Sequence, residues 1–315
     1  MPLDPLLKSF LDQVAAQPAP KMWEMDPPTA RAAFVALMEF AGPKDVPIGK
    51  VTSLAIPGPS GELPARVYTP VAAGGEPLPA LIFFHGGGFV IGSVDTHDGI
   101  CRMLSNTSAC RVISVEYRLA PEHPFPAAVE DAFAATSWIE KNAAQLGIDA
   151  NRIAIGGDSA GANLSAVVTH MARKAGAPKL AFQMLICPAT HFSSTSVSRR
   201  QFAEGYFLEA KGMDWFVAHY AGTKEPNLDD RRVSPLLEES FTGLPPAYIM
   251  VAGFDPLHDE GIEYAHKLRA AGVSVIIDDY PEMVHDFIYL VSVLPQASEG
   301  IDSAAKALKQ ALMAE

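Results

Sequence analysis

Residues 152–165 read RIAIGGDSAGANLS and set one serine, Ser159, between Gly157 and Gly161, where an apolar run gives way to a helix-like stretch. A serine in a G-x-S-x-G turn between strand and helix is held out on a sharp, strained bend, which suits a nucleophile. Side chains two residues to either side would collide in such a bend, so glycine fits both positions. The same residues could instead form a Gly-rich turn whose serine caps the following helix. Other parts of the chain bear on the choice.

A serine hydroxyl needs a base, the base needs an orienting carboxylate, and the oxyanion of acyl transfer needs backbone N–H groups aimed at it. His85-Gly86-Gly87-Gly88-Phe89 follows the apolar run ALIFF. Gly87 and Gly88 are the expected donors, with the N–H of Ala160 as a third. A phosphate loop is the other use of such glycines, but no P-loop lysine follows and the spacing is not G-x-G-x-x-G.

Six histidines follow Ser159. His170, His258 and His266 fall in helix-like stretches, and His191 and His219 lie in an aromatic-rich segment. His285, in YPEMVHDF, comes just after the last strand-like run and is the expected base, with activity lost below about pH 6 as the ring protonates. For the acid, Asp255 ends the run AYIMVAG and is followed by Pro256, which would stop a strand and begin a helix. Asp279 is its main rival, with Asp278, Asp259 and Glu260 behind. Asp286 is too close in sequence to His285 to orient its ring.

These residues need a scaffold that carries them to one edge. From about residue 50, eight short runs rich in β-branched and apolar residues (KVTSLAI, ARVYTP, ALIFFH, RVISVEY, RIAIGG, FQMLIC, AYIMVAG, VSVIID) give way, in the later part, to alternation with helical patterns at 127–144, 160–175, 258–271 and 296–313. Runs apolar throughout imply burial on both faces, and their alternation with helices implies a mostly parallel sheet. Before them, Leu6, Leu7, Phe10, Leu11 and Val14 recur at helical spacing after Asp4-Pro5, and a second helix with Phe34, Leu37 and Met38 on one face follows the Pro-rich connector. The segment 188–243 reads as a helical, aromatic-rich insertion over the sheet edge where ligands bind.

Composition narrows the function classes. The 315 residues are 49% hydrophobic and 19% charged, enough for a large core. The net charge of −12 opposes both nucleic-acid and anionic-membrane partners. Cys101, Cys110 and Cys187 show neither CxxC spacing nor a zinc pattern, and they are expected to be free thiols in a reducing compartment. The N-terminus lacks a basic region followed by an unbroken apolar stretch, and no run approaches a membrane span. A cytoplasmic protein is expected, with a homodimer through an exposed sheet edge.

With these residues assembled, HGGGF (85–89), YRLAPEHPFPAA (117–128), GDSAGANL (157–164), DPLHDEG (255–261) and HDF (285–287) make the chain resemble the hormone-sensitive-lipase family of α/β-hydrolase carboxylesterases. The motifs span most of 79–290. The resemblance implies an α/β-hydrolase fold, a central mostly parallel eight-stranded sheet flanked by helices with a helical cap. It implies a catalytic triad of Ser159, Asp255 and His285, an oxyanion hole from Gly87, Gly88 and Ala160, and neither cofactor nor metal. The cap would comprise residues 1–45 and an insertion at 191–240, including FAEGYFL (202–208) and MDWFVAHY (213–220), with the core at 46–190 and 241–315. One departure is Asp286, where such sequences more often carry glycine.

The expected chemistry is two-step hydrolysis of short- to medium-chain esters, against an amidase or peptidase on the same fold or a non-catalytic small-molecule receptor. Phe89, Phe207, Leu208, Phe216, Phe287 and Ile288 are the candidate pocket walls, with core packing as the alternative for each. Glu116, Arg118, Glu122 and Asp158 read as structural polar groups.

Overall fold

The backbone alternation seen in the sequence becomes one eight-stranded sheet in the structure, a computed structural model that describes residues 2–75, 77–223 and 226–313. The strands are β1 (Lys50–Gly58), β2 (Gly61–Thr69), β3 (Leu78–Phe84), β4 (Arg111–Val115), β5 (Ile148–Asp158), β6 (Phe182–Ile186), β7 (Ala247–Phe254) and β8 (Val275–Val284). Their order is β1-β2-β4-β3-β5-β6-β7-β8. The first two form an antiparallel hairpin, β2 also runs antiparallel to β4, and the strands from β4 to β8 are parallel. The helices are α1 (Pro5–Ala15), α2 (Pro27–Ala41), α3 (Asp98–Ser108), α4 (Ala127–Lys141), α5 (Ala160–Ala175), α6 (Val197–Gln201), α7 (Ala210–Ala221), α8 (His258–Ala270) and α9 (Pro295–Met313).

Helices cover both faces of the sheet. On β7, Tyr248, Met250 and Ala252 join the core that includes α9, while Ala247, Ile249 and Val251 join the cluster under α5 and α8. Such two-sided burial explains a run with no polar alternation. The expectation fails at β1, an edge strand in which Ile56 alone is buried. Its Val51 is left exposed. Helix α3 was not legible. Its buried face follows a helical period, but Cys101, Ser105 and Ser108 fill much of it, and His97 precedes it without a side-chain cap.

The register carries the chemistry-bearing residues to one edge. Phe84 pairs with Gly157, and Asp158 with Ile186. HGGG and Ser159 therefore leave the carboxyl ends of adjacent strands, β3 and β5. Between the pairs Ala252↔Tyr280 and Phe254↔Val284, β8 gains residues relative to β7. This irregularity contains Pro281, which an edge strand accommodates. Gly253 permits it, because a Cβ there would strike the backbone of Pro281. The extra length brings Val284 level with Phe254, so Asp255 and His285 emerge side by side.

The segment 188–243 is less helical than its sequence suggests. It holds the five-residue α6, α7 and a short 3₁₀ turn, and FAEGYFL is not a helix. Buried polar anchors fix it instead. Asn163 donates to the carbonyls of Ala189 and Val233. Glu260 accepts from the N–H groups of Thr190 and His191 and pairs with Arg199 at 2.8 Å.

At the N-terminus, Asp4 caps α1 through the N–H groups of Leu6 and Leu7, and Asp26 caps α2 through that of Thr29. Arg31 then ties α2 to the site loops. It donates to the carbonyls of Val90 and Ala120 and grips both oxygens of Glu122. Glu116 and Arg118 hold other loops, by accepting from the Val94 N–H and by pairing with Asp131. Replacing Arg31 with Met keeps the aliphatic stem and removes these bonds. The variant is expected to lose about 1–3 kcal/mol in urea denaturation, and an unchanged midpoint would show that the arginine is dispensable to the fold.

Candidate active site

Ser159 lies at the sharp junction of β5 and α5 with φ 49° and ψ −112°, outside the usual regions for a residue with a side chain. Its hydroxyl does not cap α5, which disposes of the capping alternative. It instead approaches His285 Nε2 at 2.9 Å. Two neighbours in the turn must be glycine for steric reasons. A Cβ on Gly157 or Gly161 would overlap the carbonyl oxygen of Phe84 at the end of β3.

The far nitrogen of His285, Nδ1, lies 2.7 Å from Asp255 Oδ2. Asp255 is fully buried, and its other oxygen accepts from the N–H of Leu257. The rival acids are occupied elsewhere. Asp278 accepts from Tyr248 and Ser303, Asp279 is half-exposed beside His258, and Asp259 and Glu260 serve the insertion. Among the described residues, none accepts a hydrogen bond from the N–H of Gly87, Gly88 or Ala160, and all three residues line the same cavity as Ser159. Gly88 has φ 58°, and a Cβ there would enter the Phe216 ring.

His85 supports this loop from behind. It is fully buried, stacks on Tyr117 and receives that residue's hydroxyl at its carbonyl oxygen. Burial pushes its pKa down to about 3, so the ring is neutral. Asp158, beside the nucleophile position, accepts from Tyr289 and lies 3.3 Å from His97. These contacts support the structural reading of Asp158.

Asp286 stands closer to the chemistry than its sequence position implied. It does not orient the ring from Asp255's side. Its Oδ2 lies 3.2 Å from His285 Nε2, on the side facing Ser159. Burial pulls the imidazole pKa down, but the charges and hydrogen bonds of Asp255 and Asp286 prevail and hold it well above the ordinary value.

The cavity has a volume of about 440 Å³. Phe89, Phe207, Leu208 and Phe216 line it. Phe287 and Ile288 do not: both are fully buried in the core, with Phe287 packed on Tyr280. The 3₁₀ turn after His285 directs these side chains inward and leaves Asp286 and Tyr289 on the cavity wall. Sequence reasoning missed most of the opposite wall, where Met22, Trp23, Met25, Phe34 and Leu37 come from the connector and α2. The helical face of Phe34 and Leu37 was legible, but nothing local said that it would face the site.

Cys187, Asp255 and His285 form the one grouping of metal-ligating atoms among the described residues, all within 4.8 Å. Asp255 and His285 already bind each other, and burial raises the Cys187 thiol well above its usual range. The donor set suits a hydrogen-bonded pair better than an ion.

Residues 81–289 match a family described as alpha/beta hydrolase fold. The chain is 46% identical over 264 residues to carboxylic ester hydrolase LipN of Mycobacterium tuberculosis, covering 82% of this chain and 70% of that protein. It is 38% identical to an ethyl acetate hydrolase of Pseudomonas putida, covering 99% and 100%. A solved hyperthermophilic esterase from Pyrobaculum calidifontis superposes with a TM-score of 0.92 at 42% identity, covering all of both chains. The ester hydrolase EH1AB1 from the metagenome of Lake Arreo, solved with a bipyridine phosphonate derivative, gives 0.96 at 44% identity, covering 99% and 100%.

The packing at the turn has a direct test. Gly161→Ala forces α5 away from β3 and is expected to lower stability by about 1–3 kcal/mol in chemical denaturation. A variant as stable as the parent would show that the turn has room to spare.

Proposed function

The chain belongs to the α/β-hydrolase family, in its hormone-sensitive-lipase branch of carboxylesterases, and on that premise we propose that it hydrolyses small carboxylic esters with Ser159 as nucleophile, His285 as base and Asp255 as the orienting acid. The observation that carries this reading is the unbroken chain from Asp255 through His285 to the Ser159 hydroxyl, at 2.7 and 2.9 Å, ending in an apolar cavity.

His285 Nε2 takes the hydroxyl proton as Ser159 Oγ attacks the ester carbonyl. The N–H groups of Gly87, Gly88 and Ala160 receive the oxyanion, and their freedom from other bonds leaves them ready to do so. Asp255 fixes the ring orientation through Nδ1 and stabilises the imidazolium. The imidazolium then protonates the leaving alkoxide. Water repeats the sequence on the acyl-enzyme and releases the acid.

The cap in this reading comprises residues 1–45 and 191–240, which supply Trp23, Phe34, Phe207, Leu208 and Phe216 to the cavity wall. Its volume and apolar lining suit short- to medium-chain acyl groups, and an ester hydrolase relative acts, by its name, on ethyl acetate. The cysteines are free and buried, which suits a reducing cytoplasm. The strands β1 and β8 are both sheet edges and offer a route to a homodimer.

Ser159→Ala is expected to reduce kcat on p-nitrophenyl butyrate by about four or more decades while leaving the thermal midpoint near that of the parent. Near-parental turnover would exclude this nucleophile. The pH profile carries a second expectation. The base works only as neutral imidazole, and Asp255 and Asp286 raise its pKa. Activity should therefore fall as pH drops through a midpoint above about 6.5, the ordinary imidazole value. A midpoint at or below that value would contradict the arrangement.

A further inference from the structure

We propose that Asp286 is a positioning residue that shares a proton with His285 at Nε2, so that the base becomes free only when this pair has lost that proton. The proposal rests on the reading of His285 as the base.

The geometry allows few other roles. Asp286 Oδ2 lies 3.2 Å from Nε2, and Ser159 Oγ lies 2.9 Å from the same nitrogen. With Nδ1–H directed to Asp255, a neutral ring offers one lone pair at Nε2. A carboxylate facing that lone pair gains nothing, because both are acceptors. The contact is favourable only with a proton between them, carried either as Asp286 carboxylic acid donating to Nε2 or as imidazolium donating to Asp286. In both forms the lone pair that should receive the Ser159 proton is engaged.

The surroundings favour retention of that proton. Asp286 is buried on the cavity wall, and its Oδ1 has no hydrogen-bond partner among the described residues. A buried carboxylate with half its acceptor capacity unmet is poorly stabilised as an anion. Of the groups that face it, the two carboxylates make this worse, and the Tyr289 hydroxyl and His97 offset it only in part. Asp255 at the end of β7 and Asp158 at the end of β5 are acidic neighbours. His97 is already beside Asp158. Tyr289 gives its hydroxyl proton to Asp158. Cys187, at the end of β6, is a buried thiol held neutral. His285 is the cation in direct contact with Asp286. In agreement, burial, opposed by His285, pushes the Asp286 pKa up to about 6.

The same contact has a second consequence once the pair is deprotonated. When Ser159 attacks, its proton moves to Nε2 and the ring becomes a cation between two carboxylates, Asp255 on one nitrogen and Asp286 beside the other. The proton then leaves with the alkoxide, and both carboxylates are unchanged. Asp286 therefore strengthens the base at high pH and silences it at low pH.

The backbone makes the test clean. Asp286 has φ 46° and ψ 39°, a left-handed conformation open to Gly and Asn. Neither Asp286→Gly nor Asp286→Asn should strain the turn. The test is the pH dependence of kcat/KM on p-nitrophenyl butyrate for the parent and both variants, with Ser159→Ala as control. Both variants are expected to move the acid limb down by about one pH unit or more, with a lower plateau at alkaline pH. A residue with a purely structural role would lower activity without moving the midpoint. An unmoved or upward-moved limb in a folded variant would overturn the proposal, as would a parental midpoint at or below about 6.5. Activity surviving in Ser159→Ala would instead overturn the reading of the site itself, which separates the two failures.

Discussion

The His285 ring must be reached from both sides at once, by Asp255 at Nδ1 and by Ser159 at Nε2, and the rest of the structure can be understood as meeting that demand. The three residues are far apart in sequence and come from three different strands. They meet because parallel strands end on one edge, and because β8 lengthens by a local irregularity at Pro281 that sets Val284 level with Phe254. Without those extra residues the loop carrying His285 would start short of Asp255.

Close packing at the same edge leaves little freedom for substitution. The β5–α5 turn presses against the carbonyl of Phe84, so Gly157 and Gly161 have no space for a Cβ. Ser159 accepts a strained backbone in return for an outward hydroxyl. The loop after β3 rests on His85, Tyr117 and the Arg31 bonds to Val90 and Ala120. Through Arg31, the N-terminal helices are coupled to the loop after β3 as well as to the cavity wall, so they contribute to the site's geometry and not only to its enclosure.

Much of this was legible in the chain. The candidate residues stand at ends of apolar runs, and a parallel sheet brings such ends together, so position in the chain was enough to single out Ser159, Asp255 and His285, which the fold brings into contact. The sheet's two-sided burial was readable in β7 but misleading in β1, an edge strand that buries Ile56 alone. Helix α3 escaped because Ser and Cys fill a buried face that a hydropathy pattern expects to be aliphatic. Phe287 and Ile288 were misplaced because the direction of a side chain after His285 depends on a 3₁₀ turn that no local spacing announces. Asp286 was judged by its distance in sequence from His285, whereas its left-handed backbone decides what it touches.

The most direct test of the account is covalent trapping. A fluorophosphonate mimics the tetrahedral adduct and reports which atom attacks. Peptide mapping by mass spectrometry should find one adduct, on the peptide that contains Ser159, formed far more slowly in His285→Ala than in the parent. An adduct on another residue, or equal labelling rates in the two proteins, would contradict the account.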